Sequence, residues 1–325
     1  MEMDKKMVVS SSPHIRTIES VQSVMTDVLI ALFPVALMAV LLFGYKALVT
    51  MAISIATTML VEALWLRKRD VFSDGSAAVT GLLFAMVLPP APPWWLVVVG
   101  AASAIIIGKQ VFGGIGYNIF NPALVGRAIV VMSWGGHLVG RIWSVPQPFV
   151  FGADISAVTT ATPLAGHEEA LAVSLTQLFI GNTAGCLGET SALALLIGGI
   201  WLFYKGHIDW RIPGGYIGTV FVMGILFGGG FYNNHLLTGL FYVLAGGVML
   251  GALFMATDMV TSPITPKGKL IFGIGCGLIT MLIRIWGTMP EGVTFAILIM
   301  NAITPIIDKF TVPQQFGGGE EKCVK

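Results

Sequence analysis

The chain has 325 residues, 18 of them basic and 17 acidic, for a net charge of +1. Hydrophobic residues make up 55% and charged ones 11%, against roughly 25% charged in an ordinary soluble domain, and the mean hydropathy is +0.85. These values exclude a disordered chain and argue against a water-soluble enzyme, and the charge balance gives no footing for nucleic acid.

Residues 1–24 are expected to form a cytoplasmic N-terminal segment. Met1 to Arg16 is polar and has no apolar h-region, so no cleavable signal peptide is expected. Apolar runs then recur, many of them near the length a helix rising about 1.5 Å per residue needs to cross about 30 Å of hydrocarbon. About ten spans are predicted, at 25–44, 47–66, 77–90, 94–112, 122–137, 187–204, 213–230, 236–256, 269–287 and 292–308. Between the third and fourth lies Pro89-Pro90-Ala91-Pro92-Pro93-Trp94-Trp95, where prolines stop a helix and tryptophans suit a membrane interface. The fold class is therefore an all-α integral membrane protein. Its expected divisions are a first five-helix half (25–137), an outer loop (138–186), a second five-helix half (187–308) and a cytoplasmic tail (309–325).

Orientation follows from the basic residues. Lys5, Lys6, Arg16, Arg67, Lys68, Arg69, Lys109, Lys205, Arg211, Lys267, Lys269, Lys309, Lys322 and Lys325 fall on one side. The other side carries little beyond Lys46, Arg141 and Arg284. Both termini are thus expected in the cytoplasm and the loop 138–186 outside. A connection this long is usually functional or disordered, and 171–181 reads as a short amphipathic helix at the interface. A weak repeat pairs Thr80-Gly-Leu-Leu-Phe-Ala-Met86 with Thr238-Gly-Leu-Phe-Tyr-Val-Leu244. Each copy is followed by a polar-Pro break, at Asn121-Pro122 and Ser262-Pro263, a layout common among transporters.

Candidate residues fall into three groups. The outer loop holds a hydroxyl cluster, Ser156, Thr159, Thr160 and Thr162, followed by Pro163; from composition alone this is a polar turn. Ionisable groups within or at the ends of spans are functional candidates because charge at bilayer depth is expensive. Asp27, Glu62 and Asp308 sit near predicted ends and read as interfacial. Glu189 and Asp258 are candidates for a cofactor pocket or, with Glu62, for an ion path. Arg127, just after Asn121-Pro122, suits an electron-rich group or a phosphate through charge-assisted hydrogen bonds; a snorkelling or structural ion pair is the plainer reading. His14, His137, His167, His207 and His235 all fall outside span centres without metal-ligand spacing and read as surface loop residues. Cys186, Cys276 and Cys323 form no CxxC, so neither a metal site nor a complete iron–sulfur ligand set is expected from this chain. Cys186 and Cys276 read as small buried residues. Gly113-Gly-Ile-Gly116 has no strand before it, which excludes a dinucleotide fold; it serves helix packing or a helix break.

Several segments together resemble a known family. Thr159-Thr-Ala-Thr-Pro-Leu164 resembles the Ser/Thr-Gly-Ala-Thr motif that carries esterified FMN in the membrane flavin subunits of Rnf and Nqr complexes. Ser12-Pro-His14, Val24-Met-Thr-Asp-Val-Leu-Ile-Ala-Leu-Phe-Pro34, Asp74-Gly-Ser-Ala-Ala-Val-Thr-Gly-Leu-Leu83, Gly116-Tyr-Asn-Ile-Phe-Asn-Pro-Ala-Leu-Val-Gly-Arg-Ala128, Gly188-Glu-Thr-Ser-Ala192 and Ala256-Thr-Asp-Met-Val-Thr-Ser-Pro263 look like the Rnf D subunits, in the expected order. The related B subunit of the sodium-pumping NADH:quinone oxidoreductases is the nearest alternative that these segments resemble.

The resemblance implies a subunit of a complex coupling ferredoxin:NAD electron transfer to Na⁺ or H⁺ movement, incomplete as an enzyme alone. It implies one FMN covalently bound at Thr162, with Thr160 standing where the motif has Gly. Thr159, Thr160, Ala161, Pro163, Arg127, Asn121, Glu189, Thr190 and Asp258 are the implied surroundings of the cofactor, and non-covalent riboflavin is a further implied cofactor. The implied partners are a flavin-bearing G-type subunit, Fe–S-bearing membrane and peripheral subunits, a flavin-attaching transferase and the lipid of a prokaryotic cytoplasmic membrane. A secondary transporter or channel without a redox cofactor is the alternative that glycine-rich broken helices also fit.

Overall fold

The structure is a computed structural model and describes residues 19–67, 74–138, 143–144, 146, 159–160, 163–164, 173–229, 234–287 and 291–313. Helix α1 (Val21–Phe43) starts at a capping box between Ser20 and Ser23 and stops at Gly44. Helix α2 (Tyr45–Leu66) follows at once. The Asp74 carboxylate accepts from the Ser76 N–H and hydroxyl and so opens α3 (Ser76–Met86). Helix α4 (Trp94–Ile105) runs into a π-helical turn, Ile106–Gln110. Asn121 caps α5 (Pro122–Trp134), where Pro122 occupies the first position and needs no N–H partner.

Two-residue strands β1 (Trp143–Ser144) and β2 (Thr159–Thr160) pair antiparallel, Trp143 opposite Thr160. The second half holds α6 (Leu175–Ile180), α7 (Ala192–Tyr204), α8 (Arg211–Phe227) and α9 (His235–Leu244). Then come α10 (Val248–Leu250), which continues as a π-helical turn Gly251–Met255, α11 (Pro266–Trp286) and α12 (Val293–Thr311).

The protein is helical, as its composition requires. Each of the ten predicted runs contains a helix, but among the described residues only four helices are long and apolar enough to cross a membrane by themselves: α1, α2, α11 and α12. A fifth crossing arises if α9 and α10 with its π turn, bent by 65° at their junction, count as one. The others are short for local reasons. Run 77–90 stops at Met86 ahead of Pro89-Pro90. Run 187–204 becomes helical only at Ala192, because the turn before it is spent on α3: the Leu187 N–H donates to the Leu88 carbonyl (3.0 Å) and the Gly188 N–H to that of Met86 (2.7 Å). Run 236–256 breaks at Gly246, whose φ of +69° is the left-handed region where glycine is favoured.

Helix α2 packs on α3 and α4, and α4 on α5; in the second half α8 packs on α9 and α11, and α11 on α12. The halves meet where α1 lies on α7 and α5 on α12. At the first of these contacts Gly198 of α7 lies so close to the Ala31 carbonyl of α1 that a Cβ would overlap it. Such small-residue contact brings membrane helices together by packing, since lipid offers no hydrophobic drive.

Candidate functional site

Thr159 and Thr160 lie in β2, and Pro163 is buried. Ala161 and Thr162, the implied attachment residue, lie outside the described residues. Pro163 and Leu164 line a small cavity with Glu189, Thr190, Gly246 and Glu291. Two of the expected residues, Glu189 and Thr190, thus stand beside the segment that follows Thr162.

Behind this cavity lies a buried polar cluster drawn from four parts of the chain. The Arg127 guanidinium on α5 donates to the Val87 carbonyl at the end of α3 and to the Glu291 carboxylate just before α12. It also donates to the Cys186 sulfur at 3.4 Å, and the Cys186 thiol donates to the Val87 carbonyl at 3.1 Å. The Cys186 N–H donates to Glu189 Oε2 at 3.3 Å. The ligating atoms of Cys186, Glu189 and Glu291 all lie within 4.8 Å of one another. Arg127 is therefore in a buried ion pair here, which is the plainer of its two expected roles. Close by, Arg284 donates to the Tyr242 and Ala245 carbonyls (2.7 and 3.1 Å) where α9 breaks, capping carbonyls that a helix end leaves open.

On the other side of the bundle is a cleft with a volume of about 120 Å³, room for roughly ten waters. Its lining is mostly apolar, from α1, α3, α7 and the π turns, with Ser76, Thr80, Lys109, Asn118, His207 and Asp258 as polar points. The expected residues Asn121 and Asp258 both line it. Asn121 is largely committed to structure. Its Nδ2 donates to the Met255 carbonyl (3.2 Å), its Oδ1 accepts from the Ala123 N–H (3.1 Å), and its backbone N–H reaches the Asn301 amide oxygen of α12. Asp258 accepts from the Val260 N–H and the Thr261 hydroxyl.

At this cleft Glu62 lies near the end of α2, where its side chain and that of Lys109 are each 3% exposed and form an ion pair at 2.7 Å. Lys109 also donates to the Ser76 hydroxyl at 2.6 Å, and Gln110 to Glu62 Oε1 at 2.9 Å. The reason is the π turn, which swings Lys109 and Gln110 inward instead of into a loop; such turns often mark functional sites. One expectation needs correcting at this cleft: His207 is not a surface residue. Its ring, 6% exposed, meets Asp27 Oδ2 at 3.0 Å, while Lys205 reaches Asp27 Oδ1 at 3.3 Å. Glu291, Lys109 and His207 escaped the sequence reading of the site. Lys109 between apolar Ile105-Ile106-Ile107 and Val111 was the one with a visible signal, a charge inside a span.

The chain is similar to known proteins over nearly its whole length. Residues 8–317 match the model of the NQR2, RnfD, RnfE family. It is 46% identical to the D subunit of the Na(+)-translocating ferredoxin:NAD(+) oxidoreductase complex of Acetobacterium woodii, over 96% of this chain and 95% of that protein. It is 43% identical to the D subunit of the proton-translocating ferredoxin:NAD(+) oxidoreductase complex of Clostridium ljungdahlii, over 95% and 96%. To the D subunit of the ion-translocating oxidoreductase complex of Stutzerimonas stutzeri it is 38% identical, over 92% of each.

Proposed function

The chain belongs to the NQR2, RnfD, RnfE family, and from that premise we propose that it is the membrane flavin subunit of an ion-translocating ferredoxin:NAD oxidoreductase. In this reading it is a part of a translocase and not a complete enzyme, as the names of its relatives, each one subunit of such a complex, indicate. It spans a prokaryotic cytoplasmic membrane about ten times with both termini inside. Its partners are a flavin-bearing G-type subunit, Fe–S-bearing subunits and a flavin-attaching transferase. The recurrence of α2–α3, α2–α4 and α4–α5 contacts as α8–α9, α8–α11 and α11–α12 supports two related five-helix halves. So does the coincidence that both copies of the sequence repeat end their helices, at Met86 and Leu244.

FMN esterified to Thr162 supplies the redox chemistry when present. The observation that carries this is the burial of Pro163 in a cavity shared with Glu189, Thr190 and Glu291, which anchors the attachment segment against charged and polar side chains. The protein's part is to position the ring and set its electrostatics. Non-covalent riboflavin is the second cofactor of this reading; the cleft on the other side has mostly apolar walls with a few convergent polar groups, but at its present volume it would have to widen to admit the ring.

The test is flavin fluorescence retained by the band of this chain on a denaturing gel, together with the mass of the peptide containing Thr162. Thr162→Ala should remove both signals, and Thr159→Ala and Thr160→Ala should leave Thr162 as the acceptor. The 65° break between α9 and α10 also fits a transporter without redox cofactor; a colourless band from the native host would make that the better reading.

A further inference from the structure

We propose that Glu189 and Glu291 form a binding site for one Na⁺-sized monovalent cation, and that Arg127 occupies this site as a tethered cation in the present conformation. Assigning the cation as translocated cargo rests on the function proposed above; the site itself does not.

The same two carboxylates line two separate small cavities. One lies on the side of Pro163 and Leu164, the other on the side of Leu124, Met255 and Val293, and each has a volume of about 10 Å³, the size of a single water. Glu189 and Glu291 therefore stand between an outward chamber and an inward one, at the depth where α3 ends and α9 breaks. Broken helices whose carbonyl ends converge on a site are a recurrent way to hold a cation in a membrane protein.

The oxygens are left available. Glu291 Oε1 is buried and has no hydrogen-bond partner among the described residues. Glu189 is 9% exposed and lies between two glycines: a Cβ on Gly185 would come 3.3 Å from its Oε2 and one on Gly247 3.1 Å from its Oε1. Side chains there would crowd the carboxylate; among the described residues the hydrogen bond it accepts is from the Cys186 N–H. The Val87 carbonyl adds a third oxygen, now taken by Arg127 and the Cys186 thiol.

Charge selects the occupant. Two carboxylates face two guanidiniums; Arg284 is held by the Tyr242 and Ala245 carbonyls, neutral groups that leave its positive charge to balance one carboxylate. If Arg127 withdraws, one uncompensated negative charge remains, and burying it unpaired is costly. One monovalent cation restores neutrality, whereas a divalent ion would overcharge the site. Oxygen donors suit a hard cation, and the Cys186 thiol, which donates its proton to Val87, does not offer the thiolate a soft metal prefers.

Equilibrium binding of ²²Na⁺ to the purified complex tests this. Arg127→Gln should add one Na⁺ per complex over wild type, not displaced by choline. Arg127→Lys, which keeps the tethered charge, should add none, and Glu291→Gln combined with Arg127→Gln should abolish the gain. Equal Na⁺ content in Arg127→Gln and wild type overturns the proposal. Should Arg127→Gln fail to assemble, Arg127→Met, which keeps the apolar stem without the charge, decides: labelling of Glu189 by dicyclohexylcarbodiimide should slow several-fold in NaCl relative to choline chloride in this variant and not in the unmodified complex. Equal rates in the two salts in Arg127→Met would refute the site. Flavin fluorescence of the denatured band reads Thr162 separately, so failure of the flavin reading and failure of the cation site are told apart.

Discussion

The buried Lys109–Glu62 pair shows how one side chain reshapes its surroundings. Glu62 Oε2 has no partner, so its carboxylate depends on Lys109, Gln110 and the single oxygen they share. Removing one member of a buried pair costs about 3–5 kcal/mol, because the other charge is stranded, while replacing both with apolar groups is often near neutral. Lys109→Met should therefore lower the thermal unfolding midpoint of the purified protein strongly, and Lys109→Met with Glu62→Met should recover most of the loss. A double variant no more stable than the single one would show that the pair is not the cause. The hydroxyl at Thr162 was legible as a candidate because its neighbours matched a motif. Arg127 was legible as a charge in an apolar run, but its partner Glu291, 164 residues away, was not, since nothing local marks which distant carboxylate a guanidinium will meet.

At the scale of elements, α1 and α7 depend on contact without intervening side chains. Gly198→Leu should separate them, because the added atoms meet the Ala31 backbone and the Phe254 ring and backbone cannot give way. Loss of assembled complex on a native gel, with Gly218→Leu as a control where nothing lies within 4 Å, would check this. The turn between α7 and α8 is tied to α11 through Asp209, which Lys269 reaches at 3.4 Å. Burial alone would raise the Asp209 carboxyl, but the Arg211 backbone and guanidinium, with Lys269, outweigh it and hold it below its usual 3.8. A depressed carboxylate contributes stability above its unfolded value and loses it as pH falls through the folded one. Acidification below the ordinary carboxylate range should thus loosen this tie. Amide hydrogen exchange in 205–212 should rise there in wild type and already be raised at neutral pH in Asp209→Asn. The ten apolar runs were legible because burial in lipid demands long apolar segments. Their breaks were not, because Leu187–Ser191 leaves helical form to cap another helix, a choice that exists only once α3 is beside it.

For the whole molecule, the distribution of lysine and arginine makes a directional prediction. In a Cys323→Ser background, with the endogenous Cys186 and Cys276 buried, Ser174→Cys should react with a membrane-impermeant maleimide from outside intact cells. Lys267→Cys should react only after the membrane is opened. Labelling in the reverse pattern would invert the topology and place the Thr162 segment in the cytoplasm.

Taken by itself, the order of residues determined that this protein is helical, lives in lipid, and carries a particular hydroxyl in a particular motif, because hydropathy and short motifs are local properties of the chain. Only the tertiary structure decided which charges are paired, where the two π turns point their side chains, and that two carboxylates 102 positions apart in sequence share one buried spot. Those outcomes depend on the packing of helices from both halves, and the cost of an unpaired charge away from water selects the partners after the helices have met.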